Sequence, residues 1–144
     1  MTGRRIDGAM PVAFRYTPGT GAGSFLAGLV DRELRGSTCT SCGVTYLPAR
    51  AFCERCFAAL EAEARCGPEG TVVSATTVRV DVDGDPLTTP EAFALVRFDG
   101  ADTVMLVRWL DEASPDVGAR AVVAWRDDRV GSILDIAGAA PAGS

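Results

Sequence analysis

Apolar residues recur at helical spacing between residues 24 and 36. Charged residues lie between them, as in an amphipathic helix. The apolar positions are Phe25, Leu26, Leu29, Val30 and Leu34. Ser24 is the expected N-cap and Gly36 the expected end. The apolar stripe is expected to pack on the protein's own core, with docking onto another subunit as the alternative.

The period of the pattern changes to two after Gly70. A first strand begins near Val72 and continues as alternating valines and charged residues up to Val82. Further strands are expected at about 93–98, 103–110, 120–125 and 132–137, with turn residues between them. Five short strands favour a small closed Greek-key barrel over an immunoglobulin-like sandwich, which usually has about seven.

The two ends of the chain lack a sustained pattern. Residues 1–23 mix arginine, glycine and proline, and are expected to form an extended arm. The helix over 24–36, a cysteine-bearing segment over 37–66 and the barrel over 67–137 should follow. Residues 138–144 have no bulky apolar side chain, and we expect them to form a flexible tail.

Four of the five cysteines form two Cys-x-x-Cys hooks that are separated by ten residues. The first hook contains Cys39 and Cys42, and the second contains Cys53 and Cys56. Two facing hooks make the tetrahedral sulfur cage that zinc prefers, and four protein ligands leave no open position, which indicates one structural zinc ion per chain. Buried thiols or redox pairs are the alternatives, and iron also suits four thiolates. Cys66 lies outside the spacing and receives no role.

Composition excludes most familiar catalytic chemistry. The chain has no histidine, and all 14 of its basic residues are arginines. It therefore lacks an imidazole base, a Schiff-base lysine and a Walker-type lysine. The net charge of −5 argues against a protein that mainly neutralises nucleic-acid phosphates. No apolar run reaches the roughly 18 residues of a membrane span and no signal segment is evident, so the expected location is the cytoplasm.

The order of these features resembles a known family. A helix precedes the first hook, Tyr46, Pro48 and Arg50 precede the second hook, and Gly70-Thr-Val-Val-Ser opens the barrel. This combination resembles the acyl-CoA-associated proteins in which a rubredoxin-like zinc ribbon is followed by an OB-fold. In that family the segment before the second hook usually has an aromatic residue, two prolines and an arginine, so Ala49 departs from the pattern.

The resemblance implies a mainly β protein with an N-terminal amphipathic helix, a rubredoxin-like zinc ribbon and a five-stranded OB-fold barrel. It implies a non-catalytic accessory subunit of a hetero-oligomer, whose partner is a thiolase-like condensing enzyme, a lipid-transfer-type aldolase or a hydratase that acts on acyl-CoA. Arg50 and Arg55 are then candidate contacts for CoA phosphates, because a guanidinium group binds phosphate bidentately. Trp109 and Trp125 are expected in the barrel core rather than as stacking platforms for adenine.

Two other functions remain open at the level of sequence. Ribbons and OB-folds also occur in proteins that bind single-stranded nucleic acids, although such a site needs a basic groove with exposed aromatic residues. A rubredoxin-like electron carrier would result if iron occupied the four thiolates.

Overall fold

The computed structural model describes residues 15–143, which form one helix and eight strands. The elements are α1 (Thr20–Val30), β1 (Leu34–Thr38), β2 (Thr45–Tyr46), β3 (Ala62–Cys66), β4 (Glu69–Val80), β5 (Pro86–Phe98), β6 (Met105–Arg108), β7 (Arg120–Trp125) and β8 (Ile136–Pro141), with a 3-10 turn at Ile133–Asp135 before β8. The predicted mainly β fold is confirmed. No helix within residues 15–143 has the length and apolar character needed to cross a bilayer.

The helix lies earlier in the chain than the sequence predicts. It begins after Gly19, which has no capping side chain, so the prediction of Ser24 as N-cap is wrong. It ends in a Schellman motif: the Arg32 N–H donates to the Leu29 carbonyl, the Glu33 N–H donates to the Gly28 carbonyl, and Arg32 has a φ of 60°. Gly36 instead lies within β1. The end was missed because an arginine occupies the left-handed position where glycine is usual.

Part of the predicted N-terminal arm can be compared with the structure. Residues 15–19 have no regular structure, whereas 20–23 belong to the first turn of α1. The remainder of the predicted arm, 1–14, lies outside the described residues.

Three short antiparallel strands form the ribbon, in the order β2-β1-β3. The first hook follows β1 directly, and the second hook lies in the connection between β2 and β3. The two cysteine pairs are therefore presented at one end of this small sheet.

The remaining strands form an antiparallel five-stranded sheet in the order β6-β5-β4-β7-β8. Within residues 15–143, the edges of this sheet are joined by one parallel bridge between Trp109 and Ala139, and the Leu110 N–H donates to the Ala139 carbonyl over 2.9 Å. The sheet curls into an OB-like barrel. It does not close with a continuous ladder, which corrects the prediction of a fully closed barrel.

Two strand predictions need correction. β5 begins at Pro86 rather than near residue 93, so β4 and β5 form a long hairpin. β8 continues to Pro141, so the predicted flexible tail is wrong for 138–141. The strand predicted at 132–137 is thus shifted, because Ile133–Asp135 form the 3-10 turn and β8 runs over Ile136–Pro141. Its far end was missed because small residues there are held by backbone pairing with β7, which leaves no hydrophobic period in the sequence.

The helix, the ribbon and the OB-like sheet share one hydrophobic core. Phe25 and Leu29 of α1, Leu47 of the ribbon and Phe98 of β5 belong to the same cluster, and each is at least 97% buried, since their exposed fractions are 3%, 0%, 1% and 1%. The apolar stripe of α1 therefore packs at home, as expected. Trp109 is buried in this cluster and Trp125 packs against it, which confirms their predicted core position.

The loop between β5 and β6, residues 99–104, fastens the OB-like sheet to the ribbon. The Thr45 N–H donates to the Asp102 carboxylate over 2.8 Å, and the Asp102 N–H donates to the Thr45 carbonyl over 2.9 Å. The Thr103 hydroxyl accepts from the Leu47 N–H and donates to the Leu47 carbonyl, both over 2.8 Å. We call this set of contacts the loop clamp.

Candidate metal centre

The two hooks have the same backbone geometry. In the first hook, the Cys39 N–H donates to the Val44 carbonyl and the Gly43 N–H donates to the Cys39 carbonyl, each over 2.8 Å. In the second hook, the Cys53 N–H donates to the Ala58 carbonyl and the Phe57 N–H donates to the Cys53 carbonyl, each over 2.9 Å. Each hook is thus a tight turn that directs two thiols to one side.

The four thiols of the hooks converge on one point. Their sulfur atoms all lie within 4.8 Å of one another. The Cys39–Cys56 sulfur distance is 3.4 Å, the Cys42–Cys53 distance is 3.6 Å and the Cys42–Cys56 distance is 3.9 Å. Four sulfurs placed tetrahedrally at the usual zinc–sulfur distance lie about 3.8 Å apart. These three distances lie within about 0.4 Å of that value, so the arrangement fits a tetrahedral metal ion.

Backbone N–H groups surround the four sulfurs in matching pairs. The N–H groups of Ser41 and Cys42 point to the Cys39 sulfur, as those of Arg55 and Cys56 point to the Cys53 sulfur. Val44 and Ala58 make the corresponding contacts with the second cysteine of each hook, namely Cys42 and Cys56. These donors favour the thiolate form that binds metal, and the pKa of Cys39 and of Cys53 is lowered. At Cys42 and Cys56 the backbone donor is outweighed by the neighbouring sulfurs and by burial, and the pKa is raised.

The Tyr46 hydroxyl contacts only one of the two buried sulfurs. Tyr46 is 1% exposed, and its oxygen lies 3.2 Å from the Cys53 sulfur. This hydrogen bond, together with the backbone N–H donors, lowers the pKa of the Cys53 thiol to about 6. The same contact raises the pKa of Tyr46 to about 12. A deprotonated Cys53 sulfur can only accept, so the phenol is the donor whenever Cys53 is a thiolate.

Arg50 lies against this tyrosine. Its guanidinium carbon is 5.1 Å from the centre of the Tyr46 ring, and it forms an ion pair with Glu54 of the second hook. The backbone of Arg50 is fixed by the buried Ser37, whose hydroxyl accepts from the Arg50 N–H over 2.9 Å and donates to the Arg50 carbonyl over 3.1 Å. Gly21 packs so closely that an added Cβ would lie 2.6 Å from the Arg50 carbonyl carbon.

The outer face of the second hook is exposed. Arg55 is exposed, as are the nearby Phe52 and Phe57, whose exposed fractions are 66% and 82%. Phe57 also has a φ of 60°, in the left-handed region that bulky residues rarely adopt. The other cysteine, Cys66, is 6% exposed within the main core, where burial raises the pKa of its thiol and makes it unreactive.

Sequence spacing correctly singled out the cysteine cluster, but it missed Tyr46 as a contact of Cys53. From the sequence, Tyr46 is only one member of the segment that precedes the second hook. A buried tyrosine needs a partner for its hydroxyl, and that partner is seven residues away in the chain but adjacent in space. The sequence also gave no sign that Arg50 would contact Tyr46 and Glu54.

Comparison with known families agrees with this organisation. Residues 26–61 match the family model of the ChsH2 rubredoxin-like zinc ribbon domain, and residues 63–126 match that of the ChsH2 C-terminal OB-fold domain. A search of curated proteins found no match.

Two solved structures show the same fold. A DUF35-family protein of unknown function from Sulfolobus solfataricus is 32% identical, with a TM-score of 0.64 over 73% of this chain and 78% of that chain. The structure described as "Ltp2-ChsH2(DUF35) aldolase" is 16% identical, with a TM-score of 0.63 over 88% of this chain and 98% of that chain, and at this identity the similarity concerns the fold alone. The chain therefore belongs to the ChsH2 (DUF35) family, in which a rubredoxin-like zinc ribbon is joined to a C-terminal OB-fold domain.

Proposed function

We propose that this protein is a non-catalytic subunit that binds an aldolase-type or thiolase-like enzyme and helps that enzyme to accommodate acyl-CoA. The observation that carries the proposal is the similarity of nearly the whole fold to a ChsH2 (DUF35) chain from a structure described as an Ltp2-ChsH2 aldolase. With neither histidine nor lysine in the sequence, acid–base and Schiff-base chemistry would fall to the partner enzyme.

Zinc held by Cys39, Cys42, Cys53 and Cys56 is the metal part of this proposal. The sulfur–sulfur distances of 3.4 to 3.9 Å support it, as does the match to a zinc ribbon family. Bound zinc would cross-link the two hooks without an open coordination position. Its role would be to fix the ribbon, and hence the surface that the second hook presents.

The exposed face of the second hook is our candidate for the contact with the enzyme. Phe52 and Phe57 offer apolar area and Arg55 offers a charge, a combination that is common at the centres of protein interfaces. We expect the enzyme to provide an apolar socket with an acidic rim. The loop clamp and the shared core join the ribbon that carries this face to the OB-like sheet.

A groove beside the ribbon is the candidate path for part of the CoA moiety. Its volume is about 430 Å³, and it lies between the start of α1, β1 and the segment before β3. Arg50 lines the groove, but so do Glu61 and Glu63, and Arg50 is already paired with Glu54. A phosphate would have to displace that carboxylate from Arg50. Within residues 15–143, Arg55 forms no ion pair that a phosphate would have to displace. Both arginines are proposed contacts for CoA phosphates.

Co-purification tests the proposed function. The tagged full-length chain is expressed with each thiolase-like, aldolase or hydratase enzyme encoded next to it. One of these enzymes should co-elute in size exclusion and turn over its acyl-CoA faster in the complex than alone. A chain that stays monomeric with every such enzyme, and that changes the activity of none, would contradict the proposal.

A further inference from the structure

We infer that Tyr46 is a positioning residue of the metal centre, which holds the Cys53 thiolate in place by donating its phenolic proton, and that Arg50 holds Tyr46 in turn. The inference rests on the proposal that the four thiolates bind zinc, but it does not depend on the proposed enzyme partner.

The near-symmetry of the hooks isolates what Tyr46 adds. Cys39 and Cys53 are both completely buried, and each receives two backbone N–H groups from its own hook. Only Cys53 has a phenol 3.2 Å away within the described part of the chain. The backbone donors are enough to build a hook, because the first hook is built without a phenol. Tyr46 therefore supplies something beyond the turn itself.

Charge on the metal centre explains what this addition does. Four thiolates around Zn²⁺ carry a net charge of −2, and two of the four, Cys39 and Cys53, lie in a buried cluster with Tyr46. A hydroxyl that donates to one thiolate spreads this negative charge and fixes the direction of the sulfur lone pair. The sulfur then competes less well for incoming protons and electrophiles, and it keeps its bond to the metal for longer.

Arg50 completes a closed chain of contacts. Its guanidinium carbon lies 5.1 Å from the Tyr46 ring centre. The positive charge attracts electron density from the phenol oxygen into the ring, which makes the hydroxyl a stronger hydrogen-bond donor. The ion pair of Arg50 with Glu54 returns to the second hook, between the two cysteines of that hook. The contacts therefore run from Cys53 through Tyr46 and Arg50 back to the residue that follows Cys53.

The test compares zinc release from the full-length chain and from its Tyr46→Phe variant, which keeps the ring and removes only the hydroxyl. Loss of an outer hydrogen bond typically lowers metal affinity about 10- to 100-fold, so zinc transfer to a chromophoric chelator should become faster by up to about the same factor. The control is Tyr16→Phe, the same change at the other tyrosine, which is 78% exposed and should have no effect.

Cobalt provides a readout that general destabilisation would not reproduce. In the Co²⁺-loaded chain, removal of the hydroxyl should shift the sulfur-to-cobalt charge-transfer band to lower energy, because the Cys53 sulfur becomes more electron-rich. Arg50→Gln should shift this band and the release rate in the same direction, but less. Arg55→Gln makes the same change of charge within the second hook, without a contact to Tyr46, and should leave the band in place.

The outcomes separate the two claims. If the wild-type chain binds no zinc, both the metal proposal and this inference are wrong. If it binds one equivalent and Tyr46→Phe leaves the release rate and the cobalt band unchanged, only the inference is overturned. Should Tyr46→Phe fail to fold, an unchanged cobalt band and release rate in Arg50→Gln would still contradict the proposed chain of contacts.

Discussion

At the scale of single residues, the hooks solve the same backbone problem in two ways. Each hook requires a left-handed residue after its second cysteine. Gly43 provides it in the first hook with a φ of 75°, whereas Phe57 adopts a φ of 60° in the second. The left-handed conformation costs a non-glycine residue about 1–2 kcal/mol, and Phe57 also leaves most of its ring in water. A residue that is costly both ways is a good candidate for a binding role.

Replacement of Phe57 tests this assignment. Phe57→Gly relieves the backbone strain and should leave the free energy of unfolding unchanged or raise it by up to about 1 kcal/mol, since glycine also increases the entropy of the unfolded chain. The same variant should lose affinity for the partner enzyme. Urea unfolding of the zinc-saturated chain and a pull-down with the enzyme measure the two effects.

The reciprocal change is the control. Gly43→Phe should lower the free energy of unfolding by about 1–2 kcal/mol, because it introduces the same strain into the first hook. If Phe57→Gly binds the enzyme as tightly as the wild type does, the second hook is not the contact surface.

Asp135 is a buried carboxylate held by the backbone around it. It is 2% exposed and accepts from the N–H groups of Val130, Gly131 and Ser132 at 2.7 to 3.2 Å. Burial alone would raise the pKa of this carboxyl. The backbone donors and the nearby Arg129 lower the pKa by more than burial raises it, so the net shift is downward. The charged form is therefore the one that stabilises the fold.

This shift makes stability depend on pH. A carboxyl with a lowered pKa in the folded state stabilises the protein above the ordinary value of about 3.9, and this contribution disappears as the pH falls through the folded-state pKa. Wild-type protein should be more stable than Asp135→Asn at pH 7, and the difference should shrink below about pH 4. Urea midpoints of both proteins across this range measure it, and a difference that is constant with pH would contradict the account.

At the scale of elements, the sequence predicts best where side chains alternate. The ribbon cysteines, β7 at Arg120–Trp125 and the inner part of β5 follow from spacing and period. The ends of a helix or strand cannot be predicted from side-chain patterns where backbone geometry determines them. Arg32 ends α1 in a conformation that sequence rules assign to glycine, and β8 is held by pairing rather than by large side chains. The contact between Tyr46 and Cys53 depends on the folded ribbon, which no local pattern encodes.

Two glycines test whether β8 is ordered and packed, one within the strand and one after its end. A Cβ added at Gly138 would lie 2.4 Å from the Arg108 carbonyl oxygen, whereas one added at Gly143 would meet nothing within 4 Å. Gly138→Ala should therefore lower the free energy of unfolding by about 1–3 kcal/mol, as overpacking does, and Gly143→Ala should have no effect. Thermal unfolding compares them. Equal stability of the two variants would mean that β8 does not pack against β6 as described.

At the scale of the whole molecule, the ribbon and the OB-like sheet depend on each other. Leu34, Leu47 and Cys66 of the ribbon lie in the same core cluster as Val96 and Phe98 of the sheet. The loop clamp adds four hydrogen bonds across the same boundary. A small ribbon has too few residues to bury a large core alone, so part of its apolar surface is buried in the core that it shares with the OB-like sheet.

Removal of zinc should therefore affect parts of the protein far from the hooks. Both tryptophans, Trp109 and Trp125, lie in the OB-like part and report on it by fluorescence. A strong chelator, or the Cys39→Ser substitution, should lower the midpoint of the tryptophan-detected transition, because metal binding is coupled to folding of the ribbon and the ribbon supplies part of the core. Cys66→Ala is a comparison that removes a thiol without touching the hooks. An unchanged tryptophan transition in the metal-free protein would show that the two parts fold independently.

The loop clamp also bears on how such a chain can change during evolution. Thr103 holds Leu47 by both its N–H and its carbonyl, and Asp102 makes a similar reciprocal pair with Thr45. On the ribbon side both residues take part through backbone groups alone, which almost any residue can supply, so the side chains of the loop clamp are those of Asp102 and Thr103. Substitutions at positions 45 and 47 that leave the backbone in place should therefore keep the clamp, whereas positions 102 and 103 should accept only side chains that can make the same hydrogen bonds.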